Sequence, residues 1–454
     1  MILNNRNEST MLRLLFLVLI PVGVMASEPY ASTYVPLASD DLLIVNATVL
    51  TGTGERLTGV DVHLSGGRIE AIGSGLNRAD VRVLDAEGQF LTPGIIDVHS
   101  HLGVSPSPSI ASTSDTNEMT APNTAQVWAE HSVWPQDPQF PLALAGGVTT
   151  LQILPGSGNL FGGRGVTLKN VPSRTVQGMK FPGAKQGLKM ACGENPKRVY
   201  GGRTLAPSTR MGNVAGYRAA WTKARHYAEQ RAKLVDDPNA RVPDPDLAME
   251  TLVGVLNGEI LVHNHCYRAD EMAVMIAIAK EFGYKISTFH HAVESYKIAD
   301  LLAEEGICSA MWADWWGFKL EAFDGIPQNI ALVDKAGACA IVHSDDAQGI
   351  QRLNQEAAKA MTAARRVGMA VDEAQAIGWI TLNAAKALGI EEMTGSIEVG
   401  KAADVVLWDR NPFSVYAHAE KVFIDGYLYF DRSDPARQPV TDFDLEQTVR
   451  GGRS

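Results

Sequence analysis

The chain has 454 residues, 45% hydrophobic and 20% charged, which supplies a large core and excludes a disordered protein. That length suits one barrel of roughly 250 to 400 residues with a small companion domain. Lys and Arg number 40 against 51 Asp and Glu, and the net charge of −11 lacks the basic footprint of a nucleic-acid or anionic-membrane partner, so a small-molecule or short-peptide substrate is expected.

The first element is Leu14-Leu-Phe-Leu-Val-Leu-Ile20 behind Arg6 and Arg13, reaching Val24-Met-Ala26 before a polar stretch. A charged start, a short apolar run and small residues two apart predict an export signal over 1–26 and a periplasmic or secreted chain without a stable membrane span. Residues 42–93 then fall into short strand-like pieces bounded by turn signals, and the pattern returns over 395–435. The two ends are expected to pair into a composite β-sandwich domain. Between them, residues 94–394 alternate strand-like runs with helical periodicity, as over Asp270 to Phe282 and Gln355 to Val367, which predicts an α/β chain with a (β/α)8 barrel. Three of the four cysteines, Cys192, Cys266, Cys308 and Cys339, fall in or beside core strands. They are expected to act as small apolar residues without a disulfide framework, leaving room for one bridge.

Chemistry begins where the apolar run Leu91 to Val98 ends in His99-Ser-His101. Alternate residues of a strand face one way, so both imidazoles point together and are placed to share a cation. Further candidate ligands close later apolar runs: His263-Asn-His265, His290-His291 and His343-Ser-Asp345. The intervals amount to whole βα units and put these groups on strands one, five, six and eight, at the ends where barrels keep their active sites. His265 shares the inward parity of His263, and His343 that of Asp345; a buried, hydrogen-bonded histidine is an equal reading of His343. His290 has the opposite parity to His291 and reads as a packing residue behind the ligands.

These segments, with Thr92-Pro-Gly-Ile-Ile-Asp, Gly146-Gly-Val-Thr-Thr, Leu154-Pro-Gly-Ser-Gly and Gly395-Ser-Ile-Glu-Val-Gly-Lys-Ala-Ala-Asp, resemble the amidohydrolase superfamily, within it the imidazolonepropionase-like and Xaa-Pro dipeptidase-like amidohydrolases. The resemblance implies that His99 and His101 bind a buried metal, that His263 and His291 bind a second, and that Asp345 is both a ligand and the proton acceptor. Zn2+ is expected, one or two ions per chain. His265 would contact substrate, orient the water or replace His263. The resemblance also implies a bridging carboxylated lysine, assigned to Lys189 in Gly187-Leu-Lys-Met-Ala, with Lys180, Lys185 and Glu194 as competitors.

After that strand, Lys197, Arg198, Tyr200 and Arg203 offer cations and a phenol suited to a substrate carboxylate. Trp312, Trp315 and Trp316 are placed to wall an apolar pocket or to pack the barrel. The expectation is an exported, metal-dependent hydrolase of a C–N bond in a dipeptide or N-acyl amino acid, through metal-activated hydroxide. A mononuclear cyclic-amide hydrolase or deaminase is the alternative, and a non-catalytic binding protein of the same fold a third. A homo-oligomer is compatible with each.

Overall fold

The apolar runs of the central region become eight strands of one sheet: Ile95–Ser100, Val148–Ile153, Phe161–Lys169, Gly187–Ala191, Leu261–His265, Ile286–His290, Cys308–Met311 and Ala340–Val342. The computed structural model describes residues 30–78, 80–315 and 317–439, so the expected export signal and Trp316 lie outside the described residues. Strands one and two are buried along their whole length, as they must be when helices cover the outside of a barrel and side chains fill the inside. The third strand departs from the expected parallel rhythm, running antiparallel to both neighbours. The Gly-rich turn before it is too short for a crossover helix, so the chain reverses instead. Gly163 on that strand has φ +117°, and a Cβ there would lie 2.5 Å from the Val127 carbonyl oxygen.

Helices Ala269–Phe282 and Leu353–Arg366 occupy the two segments where helical periodicity is clearest. Helix Arg210–Asp236 starts on a Thr209 cap and buries Trp221 against Phe161. Among the described residues, no helix is long and apolar enough to cross a membrane.

The two chain ends meet in a second 8-stranded sheet. Val405–Trp408 lies antiparallel on Phe90–Pro93, pairing Val405 with Pro93 and Trp408 with Phe90. Leu42–Leu50 pairs with Arg82–Asp85 along its first half and with Phe90 and Leu91 along its second, which joins strands of both chain ends in the companion domain. Ile44, Val49, Val62, Leu64 and Leu91 form its separate core.

All four cysteines are paired, Cys192 with Cys266 and Cys308 with Cys339, which corrects the expectation of no disulfide framework. The cause is strand register. Ala191 and His265 are partners on strands four and five, so the next residue of each strand sits beside the other, with Cα atoms 5.2 Å apart. The first bridge therefore ties the active-site ends of the strands that carry Lys189 and His265. Thiol titration of the unfolded, unreduced chain should find no free thiol. Reducing both bridges should cost roughly 4 kcal/mol each on loop-entropy grounds, read as a lower denaturation midpoint. Four titratable thiols would contradict the pairing.

Candidate metal centre

Barrel closure sets the centre. The eighth strand does not continue its ladder to the first; instead the Asp345 N–H donates to the His99 carbonyl at 3.0 Å. Beneath it, the fully buried Asp97 carboxylate accepts from the Ser344 N–H at 3.2 Å, from the Ser344 hydroxyl and from the His99 N–H at 3.1 Å. Burial pushes the Asp97 carboxyl up to about 7 against these hydrogen bonds. Asp345 consequently takes a left-handed backbone, φ +52°, and its carboxylate enters the barrel mouth beside the strand-one histidines.

The Leu154 carbonyl orients His101. Its Nδ1–H donates to that oxygen at 2.9 Å, so Nε2 is the ring atom turned toward Asp345, 3.1 Å from its Oδ1. His99 Nε2 lies 3.5 Å from the same oxygen. Donor atoms of His99, His101 and Asp345 fall within 4.8 Å of one another, and so do those of His99, His291 and His343. His291 Nδ1 meets His343 Nε2 at 2.8 Å, and its Nε2 stands 3.7 Å from Asp345 Oδ2. His343, undecided from its parity, thus belongs to a donor group.

His290 is corrected from an outward to an inward position. His291 has φ +57°, which breaks strand alternation and lets both neighbouring imidazoles enter the barrel. His290 bridges His99 Nδ1 at 2.9 Å and His263 Nδ1 at 3.0 Å. A neutral imidazole donates once and accepts once, so only one of His99 and His263 presents an unprotonated Nε2 at a time. The Nε2 of His263 meets the Gln152 amide at 3.2 Å. Gly187 leaves room for that contact, since a Cβ there would lie 2.7 Å from the His263 ring and 2.8 Å from Gln152.

Lys189 is fully buried on strand four with Nζ 3.2 Å from His99 Nε2, and burial lowers its ammonium to about 7. The competitors stand elsewhere: Lys180 pairs with Glu130, Lys185 bonds the Gly258 carbonyl, and Glu194 pairs with Lys319. The expected carboxylate-binding residues divide. Their segment is a helix, Glu194–Gly201, rather than a loop. Tyr200 is buried with its hydroxyl on the Ala121 carbonyl and Asn159, and Arg203 bonds the Met119 carbonyl, so neither is brought to the centre. Arg198 acts electrostatically on Tyr267 and Lys319. These two residues and Asn195, whose amide meets His265 Nε2 at 3.4 Å, are mouth groups that spacing alone did not single out.

Burial holds His99, His265, His290 and His291 well below the ordinary imidazole range, and lowers His343 to about 4 and His263 to about 3. For Asp345, burial raises the carboxyl, but the His101 hydrogen bond and the nearby charges prevail and leave it lowered. The pocket therefore holds neutral nitrogen donors and an ionised carboxylate, the donor set of a zinc-type ion.

Comparison with known proteins gives the family of this barrel. The Amidohydrolase family model matches residues 223–440. An amidohydrolase from Thermotoga maritima MSB8, solved as a crystal structure, is 38% identical with a TM-score of 0.80, covering 86% of this chain and 100% of that one. Amidohydrolase tasK of Hapsidospora irregularis is 33% identical over 374 residues, 78% of this chain, which spans 37% of that protein's length. An imidazolonepropionase of Mesorhizobium japonicum is 24% identical over 350 residues, 72% of this chain and 79% of that protein. The chain belongs to the amidohydrolase family.

The lowered histidines have a thermodynamic consequence. Below about pH 6.5 the unfolded chain takes up protons that the folded chain refuses, so stability is present above that pH and lost as pH falls toward 4. His343 alone accounts for roughly 3 kcal/mol of that loss, because each tenfold fall in proton affinity is worth about 1.4 kcal/mol. Thermal unfolding of chelator-treated protein should show a midpoint that drops steeply from pH 7 to pH 4.5, with a flatter profile for His343→Gln. Equal slopes in both proteins would contradict the burial argument.

Proposed function

We propose that this amidohydrolase is an exported, metal-dependent enzyme that hydrolyses a C–N bond in a dipeptide or N-acyl amino acid. The observation that carries the reading is the His101 ring, oriented by the Leu154 carbonyl so that its Nε2 faces the carboxylate of Asp345 beside His99. His99, His101 and Asp345 would hold one divalent ion, with zinc the best match to the donor set, and His291 and His343 extend the site toward a second. Such an ion, when bound, activates water and polarises the scissile carbonyl.

The chain's own groups supply the rest. Asp345, with 24% of its side chain exposed, keeps its carboxylate ionised at the mouth, where it accepts the proton of the attacking water and returns it to the leaving nitrogen. His291 stands 3.7 Å from the far oxygen of that carboxylate and is itself held by His343. Lys189, whose ammonium burial lowers to about 7, would add CO2 at Nζ in its neutral form, releasing one proton and forming a carbamate able to serve as a metal ligand. Export is supported by the two disulfides, which persist in oxidising compartments. Mass spectrometry of protein from its native host should then find Ser27 as the first residue; an intact N-terminus in the cytosolic fraction would contradict export.

A second reading, a cyclic-amide hydrolase working with one ion, is favoured by a specific observation. Both compact donor groups draw on His99, so the two sets of ligands compete for one ring. The ratio of kcat/KM for N-acyl amino acids to that for cyclic ureas and imidazolones separates the two. In either case His99→Ala and Asp345→Ala should each lower kcat/KM by at least about 100-fold with an unchanged circular dichroism spectrum. Wild-type turnover in either variant would remove the site assignment.

A further inference from the structure

The segment after the seventh barrel strand carries an aromatic shelf that the reaction outlined above does not use. Trp312, buried and anchored by its indole N–H on the Ser344 carbonyl at 3.0 Å, stacks on His291 with centroids 4.5 Å apart and 22° between the planes. Trp315 stacks on Trp312 at 5.2 Å and 20°. Phe318 stands edge-on to both Trp312 and Tyr267, at 5.8 and 6.2 Å. Trp315 and Phe318 are nevertheless 40% and 55% exposed, so large apolar faces are left to water immediately beside a candidate ligand.

One cation rides on this shelf. Lys319 Nζ lies 4.3 Å from the Tyr267 ring centroid and 5.5 Å from that of Phe318. It donates to Asn195 Oδ1 at 3.1 Å and stands 3.5 Å from Glu194 Oε1, and the Asn195 amide reaches on to His265. An ammonium has three donors, and these two partners leave one for a ligand. On the centre's side of the shelf, the Nδ1 atoms of His265 and His343 are both buried without a hydrogen-bond partner.

The geometry points to an apolar carboxylate as the ligand of this shelf, with its apolar body on Trp315 and Phe318 and its carboxylate on Lys319. The inference rests on the hydrolase reading only for its catalytic meaning: the preferred substrate carries a large apolar or aromatic side chain next to its free carboxylate, as an N-acyl or dipeptidyl phenylalanine does and a glycine derivative does not. Lys319 thereby takes the role that spacing alone gives to Tyr200 and Arg203.

The test uses three uncleavable probes, 3-phenylpropionate, 3-phenylpropan-1-ol and propionate, titrated calorimetrically into the full Zn2+-loaded chain. 3-Phenylpropionate should bind at least tenfold more tightly than either of the others. Lys319→Met should abolish its advantage over the alcohol, and Trp315→Ala its advantage over propionate, with the circular dichroism spectrum retained in both. Preferences that survive in the variants overturn the inference, as does equal binding of all three probes. Turnover separates it from the hydrolase reading. If the probes bind as expected and N-acetylphenylalanine is never cleaved, the shelf stands and the hydrolase reading falls; if N-acetylglycine and N-acetylphenylalanine are cleaved with equal kcat/KM, the shelf falls and the hydrolase reading stands.

Discussion

The contact on which the centre depends is the one between Asp97 and Ser344. Backbone ladders hold neighbouring strands together elsewhere in the barrel, but between the last strand and the first a buried carboxylate does this work with two hydrogen bonds from Ser344, while a third, from the His99 N–H, fixes the carboxylate on its own strand. Such charge-assisted bonds contribute about 1.5 to 3 kcal/mol each, set against the cost of removing the carboxylate from water. The bonds also have a direction. By gripping Ser344 they turn the next residue into a left-handed conformation and carry the Asp345 carboxylate to His99 and His101. At the other end of the same gap the Val342 and Ile96 amides donate to the Trp379 and Ile380 carbonyls, so the seam is fixed along its length.

Burial then decides the chemistry of the groups gathered there. Imidazoles packed against one another and against Lys189 cannot all carry protons in a dry interior, and each is driven toward its neutral form. Neutral imidazole is what a divalent ion needs, and a lysine that loses its proton near neutrality is what carboxylation needs. The same desolvation that weakens the fold in acid therefore prepares the site. His290 adds a further restriction, because one neutral ring between His99 and His263 makes their Nε2 lone pairs alternatives rather than a pair.

Much of this is legible in the sequence, for reasons specific to each residue. His99 and His101 are readable because strand parity and an all-buried run leave little freedom, the strand numbers of His263, His291 and Asp345 follow from counted βα units, and Lys189 comes from the family resemblance alone. Parity misplaces His290, since it assumes continuous extended backbone and His291 is left-handed. The cysteines read as packing groups because bonding depends on the register between strands, which no single strand displays. Chain proximity to strand four puts Tyr200 and Arg203 at the mouth, yet the helix Glu194–Gly201 turns the phenol into the core. Lys319, Asn195 and Tyr267 come from three separate segments and meet only in three dimensions.

The strand ends are proposed to hold a metal ion through nitrogen and oxygen alone. Elemental analysis combined with X-ray absorption at the zinc edge, on chain equilibrated with Zn2+ and freed of excess, tests it most directly. At least one ion per chain is expected, with light-atom scatterers without sulfur and loss of the ion in His101→Ala. A wild-type chain that retains no ion, or one that binds it equally well without His101, would contradict it.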